Sequence, residues 1–498
     1  MTSTDRRPDD RLQQAATGYR TTLISQGVRL GCKIAGVVIL ARLVVPHEHG
    51  LFAMAASLTF LLTLFRDFGA GAAAIQVPDL TPGQETALCW LYIGLGTALT
   101  ALTLALAGAT AAFYGEPRVQ FLLMMMSGNF FLNGLNAWPR TLLARELRFP
   151  ELNLVESLGA FAGTVAMIVS AARGGGAAAF AWFMLVSEAT MLVLAWRFCR
   201  WRPRAPADWP ALRPLAHTGL RITGFNLLLY GLQQSPVLLM GRLFGAVPVG
   251  LYNRSNQLLV QPVVLLAMPF SQVLLATLAR LGPRSPDFAD HFCETTTTIA
   301  HCTLPFAVVS LVLPHEVIWL TLGPNWTEAV PMLRWVALGA AATYPVATLY
   351  ALGVASGRST ALLQSMAFAL PVTLAALWLG ATRGPVGMAA GLAVANLLLV
   401  VPQLWWVSRG TPVSGRACAL AFAGPLGVSL ALAAGLWLGR ALAGDASMPI
   451  LLLAGLAGGA VAAAACASFW PRARREWAVL WAHRPFGRSA AAQSAIAP

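Results

Sequence analysis

Apolar stretches long enough to cross a bilayer recur along the whole 498-residue chain. Fourteen can be marked, at 21–44, 51–76, 87–113, 119–140, 152–172, 176–197, 217–240, 250–278, 292–313, 328–353, 360–380, 385–407, 415–439 and 448–470. Each approaches or exceeds the ~20 residues an α-helix needs to cross ~30 Å of hydrocarbon. They are continuously apolar and do not alternate with period two, which excludes a β-barrel. With 57% hydrophobic and 11% charged residues, the chain could not present a water-facing surface all round, so a soluble enzyme is excluded as well. The expected fold is an all-α membrane protein of about fourteen transmembrane helices.

Basic residues give the orientation. The chain carries 34 Lys and Arg against 20 Asp and Glu, a net charge of +14, and Lys33 is its one lysine. In a soluble protein that balance points to nucleic acid. Here, with the N-terminus placed inside, 23 of the 34 fall in turns on the cytoplasmic side and six on the outer side (Arg42, Arg118, Arg173, Arg242, Arg383 and Arg440). The positive-inside rule then puts both termini in the cytoplasm, and no nucleic-acid partner is expected. About twenty polar residues precede the first apolar run, so that run is expected to be retained and not cleaved as a signal.

Motifs of catalysis are missing. The seven cysteines form no CxxC pair and the seven histidines no HxxxH or HExxH, so neither a metal site nor a cofactor is expected. No GxxxxGK[ST] loop is present. No stretch between the apolar runs is long enough for a glycosyltransferase domain. A transporter, not an enzyme, is what remains.

The basic segment Arg197 to Arg221 separates six apolar runs from the rest. Across it the chain resembles itself. Leu40-Ala41-Arg42-Leu43 and Gly50-Leu51-Phe52 align, at an offset of 200, with Met240-Gly241-Arg242-Leu243 and Gly250-Leu251-Tyr252. This reads as a tandem duplication, and six crossings between copies orient them alike. The expected organisation is a cytoplasmic N-terminal segment (1–20), a six-helix lobe (21–198), a basic linker (199–216), a second six-helix lobe (217–407), two additional helices (408–470) and a basic cytoplasmic tail (471–498). The two lobes, a parallel pseudo-symmetric pair, would enclose a central cavity.

Polar residues inside the apolar runs are costly and need a reason. Gln26, Arg29 and Lys33 share one face of the first run, and Asn129, Asn133, Asn136 and Arg140 one face of the fourth. Asn226, Tyr230 and Gln233 mark the seventh, and Asn253 and Gln257, with Arg254 beside them, the eighth. The second adds Arg66 and Asp67. Two readings stand side by side: amides that bind helix to helix, or a polar lining for the cavity. Glu156 and Glu188 are acids available for pairing, and snorkelling to the interface competes for Arg29, Lys33 and Arg254. Five basic residues inside the runs are assigned to neither side: Arg29, Lys33, Arg66, Arg254 and Arg334, of which Arg334 is assigned no role. A cationic cavity would favour an anionic cargo, and Arg matches phosphate with two parallel hydrogen bonds.

The chain resembles the polysaccharide transporter family, the Wzx-type flippases of lipid-linked oligosaccharides, within the superfamily of multidrug extruders and lipid II flippases. The resemblance rests on Ala41-Arg42-Leu43 with Pro46 and Gly50-Leu51, on Leu64 to Gln76, and on Leu142 to Phe149. It continues through Gly224-Phe225-Asn226 and Gly250-Leu251-Tyr252-Asn253-Arg254, and fades in the last four runs. It implies alternating access between two lobes in the bacterial inner membrane. The implied cargo is an undecaprenyl-pyrophosphate oligosaccharide, with membrane lipids and the polymerase and chain-length components of a polysaccharide assembly system as partners. By position, Arg29, Lys33, Arg66 and Arg254 would meet the pyrophosphate, the polar stripes would meet the sugars, and Asp67 is the candidate for ion coupling. The alternatives are a multidrug or cation antiporter, a lipid II-type flippase, and a membrane scaffold that transports nothing.

Overall fold

The structure, a computed structural model, describes residues 8–66, 80–202, 206, 208, 213–443 and 448–469. The described chain is built of α-helices joined by short turns, with no β-strand among the described residues. In chain order the helices are α1 (Pro8–Leu43), α2 (Pro46–Arg66), α3 (Pro82–Tyr114), α4 (Pro117–Arg145), α5 (Phe149–Ala172), α6 (Ala178–Phe198), α7 (Arg213–Phe244) and α8 (Ala246–Leu281). Then follow α9 (Phe288–Val312), the short α10 (Pro314–Thr321), α11 (Val330–Ala355), α12 (Ser359–Ala381), α13 (Gly384–Ser408), α14 (Gly415–Ala443) and α15 (Met448–Phe469). Eight of them (α2, α3, α5, α6, α9, α12, α13 and α14) are long and apolar enough to cross a membrane. The all-α, multi-pass architecture expected from the apolar runs is the one observed.

Proline marks many of the starts. It stands at the first position of α2, α3, α4 and α10, where its missing N–H has no intrahelical partner to lose. At α3 a capping box adds to this: Thr81 Oγ1 accepts from Gln84 N–H (3.2 Å), and Thr81 N–H donates to Gln84 Oε1 (2.9 Å).

Three boundaries depart from the sequence reading. Helix α1 begins at Pro8, so much of the expected N-terminal segment is helical. A helix is free to continue past the hydrocarbon edge, where polar side chains carry no transfer cost. Helix α7 begins at Arg213, inside the expected linker, for the same reason. The eight-residue α10, too short to span, was not anticipated. Asp67, residues 1–7 and the basic tail 471–498 lie outside the described residues.

The chain divides into two compact units, one of residues 1–254 with 321–326, the other of 255–320 with 327–498. In the first, α1 packs on α5, α3 on α4, α4 on α6, α5 on α6, and α2 against α3, α4 and α7. Leu88, Tyr92, Trp138 and Leu142 form one apolar cluster, and Leu40, Val44, Met167 and Phe180 another. The heads of α2 and α8 meet with no side chain between them. A Cβ on Gly50 would overlap the Ala246 carbonyl, and one on Gly250 would overlap the Pro46 carbonyl. Both members of that reciprocal contact are related by the offset of 200.

In the second unit, α9 packs on α11 and α14, α13 on α11 and α12, and α14 on α15. Leu313, Leu432 and Leu436 are buried together, and Thr297 Oγ1 donates to the Ala421 carbonyl at 3.0 Å. Glu316 at the start of α10 is 1% exposed and is paired with Arg440 Nε on α14 at 3.0 Å.

Candidate functional site

In the first unit, charges from three helices meet between α1, α4 and α5. Arg29 on α1 and Arg140 on α4 converge on Glu156 of α5; Arg29 pairs with Oε2 and Arg140 Nη2 donates to Oε1 at 2.8 Å. The three side chains are 24%, 28% and 21% exposed, so the group is reachable from outside the unit. Helical spacing makes this possible. Ser25 and Arg29 are four apart on α1, and Asn153, Glu156 and Ser157 lie within one turn of α5. Ser25 Oγ sits 2.8 Å from Ser157 Oγ and 3.3 Å from the Asn153 carbonyl, which fixes the register of the two helices. Two guanidinium groups thus share one carboxylate.

The rest of the α4 stripe turns to α6. Asn133 Nδ2 donates to Glu188 Oε1 (3.2 Å) and Asn136 Nδ2 to Glu188 Oε2 (3.1 Å), so one acid receives two amides. For these two asparagines the helix-to-helix reading describes what they do here. Tyr230 on α7 does likewise, donating to the Ser57 carbonyl on α2 at 2.8 Å. Ser57 Oγ in turn lies 2.8 Å from the Tyr114 hydroxyl.

Arg254 is 5% exposed near the head of α8. Its Nε donates to His49 Nδ1 at 2.8 Å, which leaves the proton of a neutral His49 ring on Nε2. The guanidinium lies 5.6 Å from the Phe180 ring, and His49 meets Phe180 and Trp326 edge-on at 5.0 and 4.9 Å. Trp326 Nε1 donates to the Ala41 carbonyl at 2.7 Å. Beside this box, Glu48 accepts two bonds from Arg118 (2.6 and 2.9 Å) and a third from Ala177 N–H (2.8 Å).

The expected cation set is therefore spread out. Arg29 belongs to the Glu156 cluster, and Arg254 is enclosed with His49. Lys33 is exposed on α1, and Arg66 is half-buried at the end of α2. Gln26 and Gln233 are exposed, while Asn129, Asn226, Asn253 and Gln257 are half-buried. Arg334 is exposed on α11. The sequence reading placed Arg140 on the polar face of its run but did not single out His49 or Glu48, nor Glu156 as the meeting point. The matching i, i+3 and i, i+4 faces of α1 and α5 were the signal for Glu156. Among the described residues no three His, Cys, Asp or Glu side chains come together as a metal site.

Comparison with known proteins agrees with this architecture. WzxC, a lipopolysaccharide biosynthesis protein of Escherichia coli K12, is 22% identical over 324 residues, covering 65% of this chain and 66% of that protein. The match thus spans just under two thirds of that relative. TuaB, a teichuronic acid biosynthesis protein of Bacillus subtilis, is 23% identical over 66% of this chain and 68% of its own. ExoT, a succinoglycan biosynthesis transport protein of Rhizobium meliloti, is 24% identical over 78% of this chain and 79% of its own. In fold, the chain is similar to the lipid II flippase MurJ in an inward closed conformation, with a TM-score of 0.71 at 12% identity over 92% of this chain and 99% of that one. An inward-facing multidrug transporter of the MATE family follows, with a TM-score of 0.54 at 14% identity over 81% of this chain and 99% of that one. A family model described as polysaccharide biosynthesis protein matches residues 39–331, more than half of the sequence, and the chain belongs to that family.

Proposed function

We propose that this protein is a flippase that carries an undecaprenyl-pyrophosphate-linked oligosaccharide repeat unit across the bacterial inner membrane, from the cytoplasmic to the outer leaflet, by alternating access. Family membership supports the class of cargo, and relatives named for lipopolysaccharide, teichuronic acid and succinoglycan synthesis support a polymer precursor. The observation that carries the reading is the convergence of Arg29 and Arg140 on Glu156. A pyrophosphate offers more acceptor oxygens than a carboxylate and the same bidentate geometry toward guanidinium. In this reading the cargo takes over both arginines, Glu156 is released, and the released carboxylate is free to take up a proton. Lys33, Arg66 and Arg254 would add to the anion path, and Asn129 of α4 with the amides of α7 and α8 would contact sugar hydroxyls. Both termini would be cytoplasmic, and a polymerase and chain-length protein would act on the exported unit.

The test is a gene deletion complemented with variants. Deletion should trap carrier-linked repeat units on the cytoplasmic side and abolish surface polymer. Wild-type protein should restore export, whereas the folded Arg29→Gln/Arg140→Gln double variant should restore less than about a tenth of it, as expected when two charge-assisted contacts of ~1.5 kcal/mol or more are lost. Normal polymer together with raised sensitivity to cationic drugs would replace this reading with an antiporter. A block in cell-wall growth with polymer precursor unchanged would replace it with a lipid II flippase. Full export by the double variant would leave a scaffold.

A further inference from the structure

The second unit holds a pocket that none of the proposed transport steps uses. It is a cavity of about 560 Å³ lined by Arg358, Trp405, Trp406, Arg409 and Gly410. Arg358 is the N-cap of α12, and Arg409 follows the last residue of α13. The two helices pack together, and the start of one and the end of the other form the shared end of an antiparallel pair. Both helices are long and apolar enough to span, so that shared end meets the membrane–water boundary.

Three features distinguish this place from an ordinary aromatic belt. The first is charge without a counter-charge. From residue 329 to residue 444 the sequence contains no Asp or Glu, and among the described residues neither Arg358 nor Arg409 has an acidic partner. The second is shape. Gly410, at φ 77°, leaves the space that the Arg358 guanidinium fills, since a Cβ there would collide with its Nη1. Arg409 lies 5.1 Å from the Trp405 ring, and Trp406 is held 6.0 Å from Phe368 of α12. The third is the helix start itself: Arg358 at the N-cap makes no side-chain cap bond, and the first-turn N–H groups of α12 point toward that end of the helix.

We propose that this pocket binds the phosphodiester headgroup of an anionic glycerophospholipid, which the charge bias of the turns places in the cytoplasmic leaflet. The two guanidinium groups bracket the phosphate, and the first-turn N–H groups of α12 add to the positive field. Trp405, 59% exposed, sits beside the glycerol and upper acyl chains. The same phosphate chemistry could be met by inorganic phosphate, and the experiment separates the two.

The full chain, purified in detergent, is mixed with phosphatidylglycerol or phosphatidylcholine, and retained lipid is counted by native mass spectrometry. The wild type should retain phosphatidylglycerol well above phosphatidylcholine. At about fivefold per arginine near an anionic headgroup, Arg358→Gln/Arg409→Gln should lower that preference by about 25-fold. Arg383→Gln, at the opposite end of the same helix pair, should leave it unchanged, and an unaltered melting temperature certifies that both variants are folded. Equal retention by wild type and the double variant would overturn the site. An equal loss in Arg383→Gln would overturn it in favour of diffuse surface charge. Complete displacement of lipid by millimolar inorganic phosphate would overturn the lipid assignment.

Discussion

The two units treat their arginines differently. In the first, Arg29 and Arg140 end on Glu156, Arg118 on Glu48, and Arg148 on Glu146 and Glu151. In the second, the long acid-free stretch leaves Arg358 and Arg409 with aromatic and backbone neighbours. Each unit has exceptions among the described residues: Arg254 of the first lies with His49 and Phe180, and Arg440 of the second takes its acid from α10, upstream of that stretch. Where carboxylates are available, arginine ties one helix to the next. Where they are not, as at Arg358 and Arg409, it lies against aromatic rings and backbone. The supply of acids thus decides whether an arginine is tied into the fold by an ion pair.

Removing an acid from the first unit tests that contrast most severely. Glu156→Leu removes the carboxylate that Arg29 and Arg140 share. The expected loss is about 2–3 kcal/mol, below that of a fully buried pair because the three side chains are partly exposed. Thermal unfolding of the purified protein measures it, with Glu156→Gln falling in between. A Glu156→Leu variant as stable as the wild type would break the comparison, since α1 and α4 would not then depend on the shared acid.

Next in size is the exception in the second unit. Arg440→Gln strands the buried Glu316 carboxylate, at an expected cost of about 1–2 kcal/mol, reduced because Arg440 is itself 40% exposed. The further change Glu316→Gln should recover most of it. A double-mutant cycle with no coupling energy would show that the second unit gains nothing even from the Arg440–Glu316 pair, which would sharpen the contrast. The smallest effect is expected at Asn133→Ala, about 1 kcal/mol, because Asn136 continues to donate to Glu188. A loss as large as that of Glu156→Leu would place amide ties and ion pairs on the same footing.

The apolar runs were legible because the thickness of hydrocarbon fixes their length, and the stripes were legible because 3.6 residues per turn fixes their spacing. The partners of those stripes were not. Asn133 reaches an acid 55 positions away, and Arg254 a histidine 205 positions away. Periodicity along one helix carries no information about which distant helix packs beside it. That is why Arg29 and Asn133 could be chosen as important while the acids that hold them could not be assigned. The offset of 200 relates Gly50 to Gly250 as repeat counterparts, but a repeat does not say that its copies touch, so their contact was not legible either.

That pair of glycines carries a consequence for how the chain tolerates mutation. Although 200 positions separate them, they close one joint, so the joint has two mutational addresses and no spare copy. What a new side chain would strike is a main-chain carbonyl, of Ala246 in one case and Pro46 in the other. No second-site change can trim a carbonyl. A bulky replacement at either glycine is therefore relieved only by moving one helix away from the other, or by reversion.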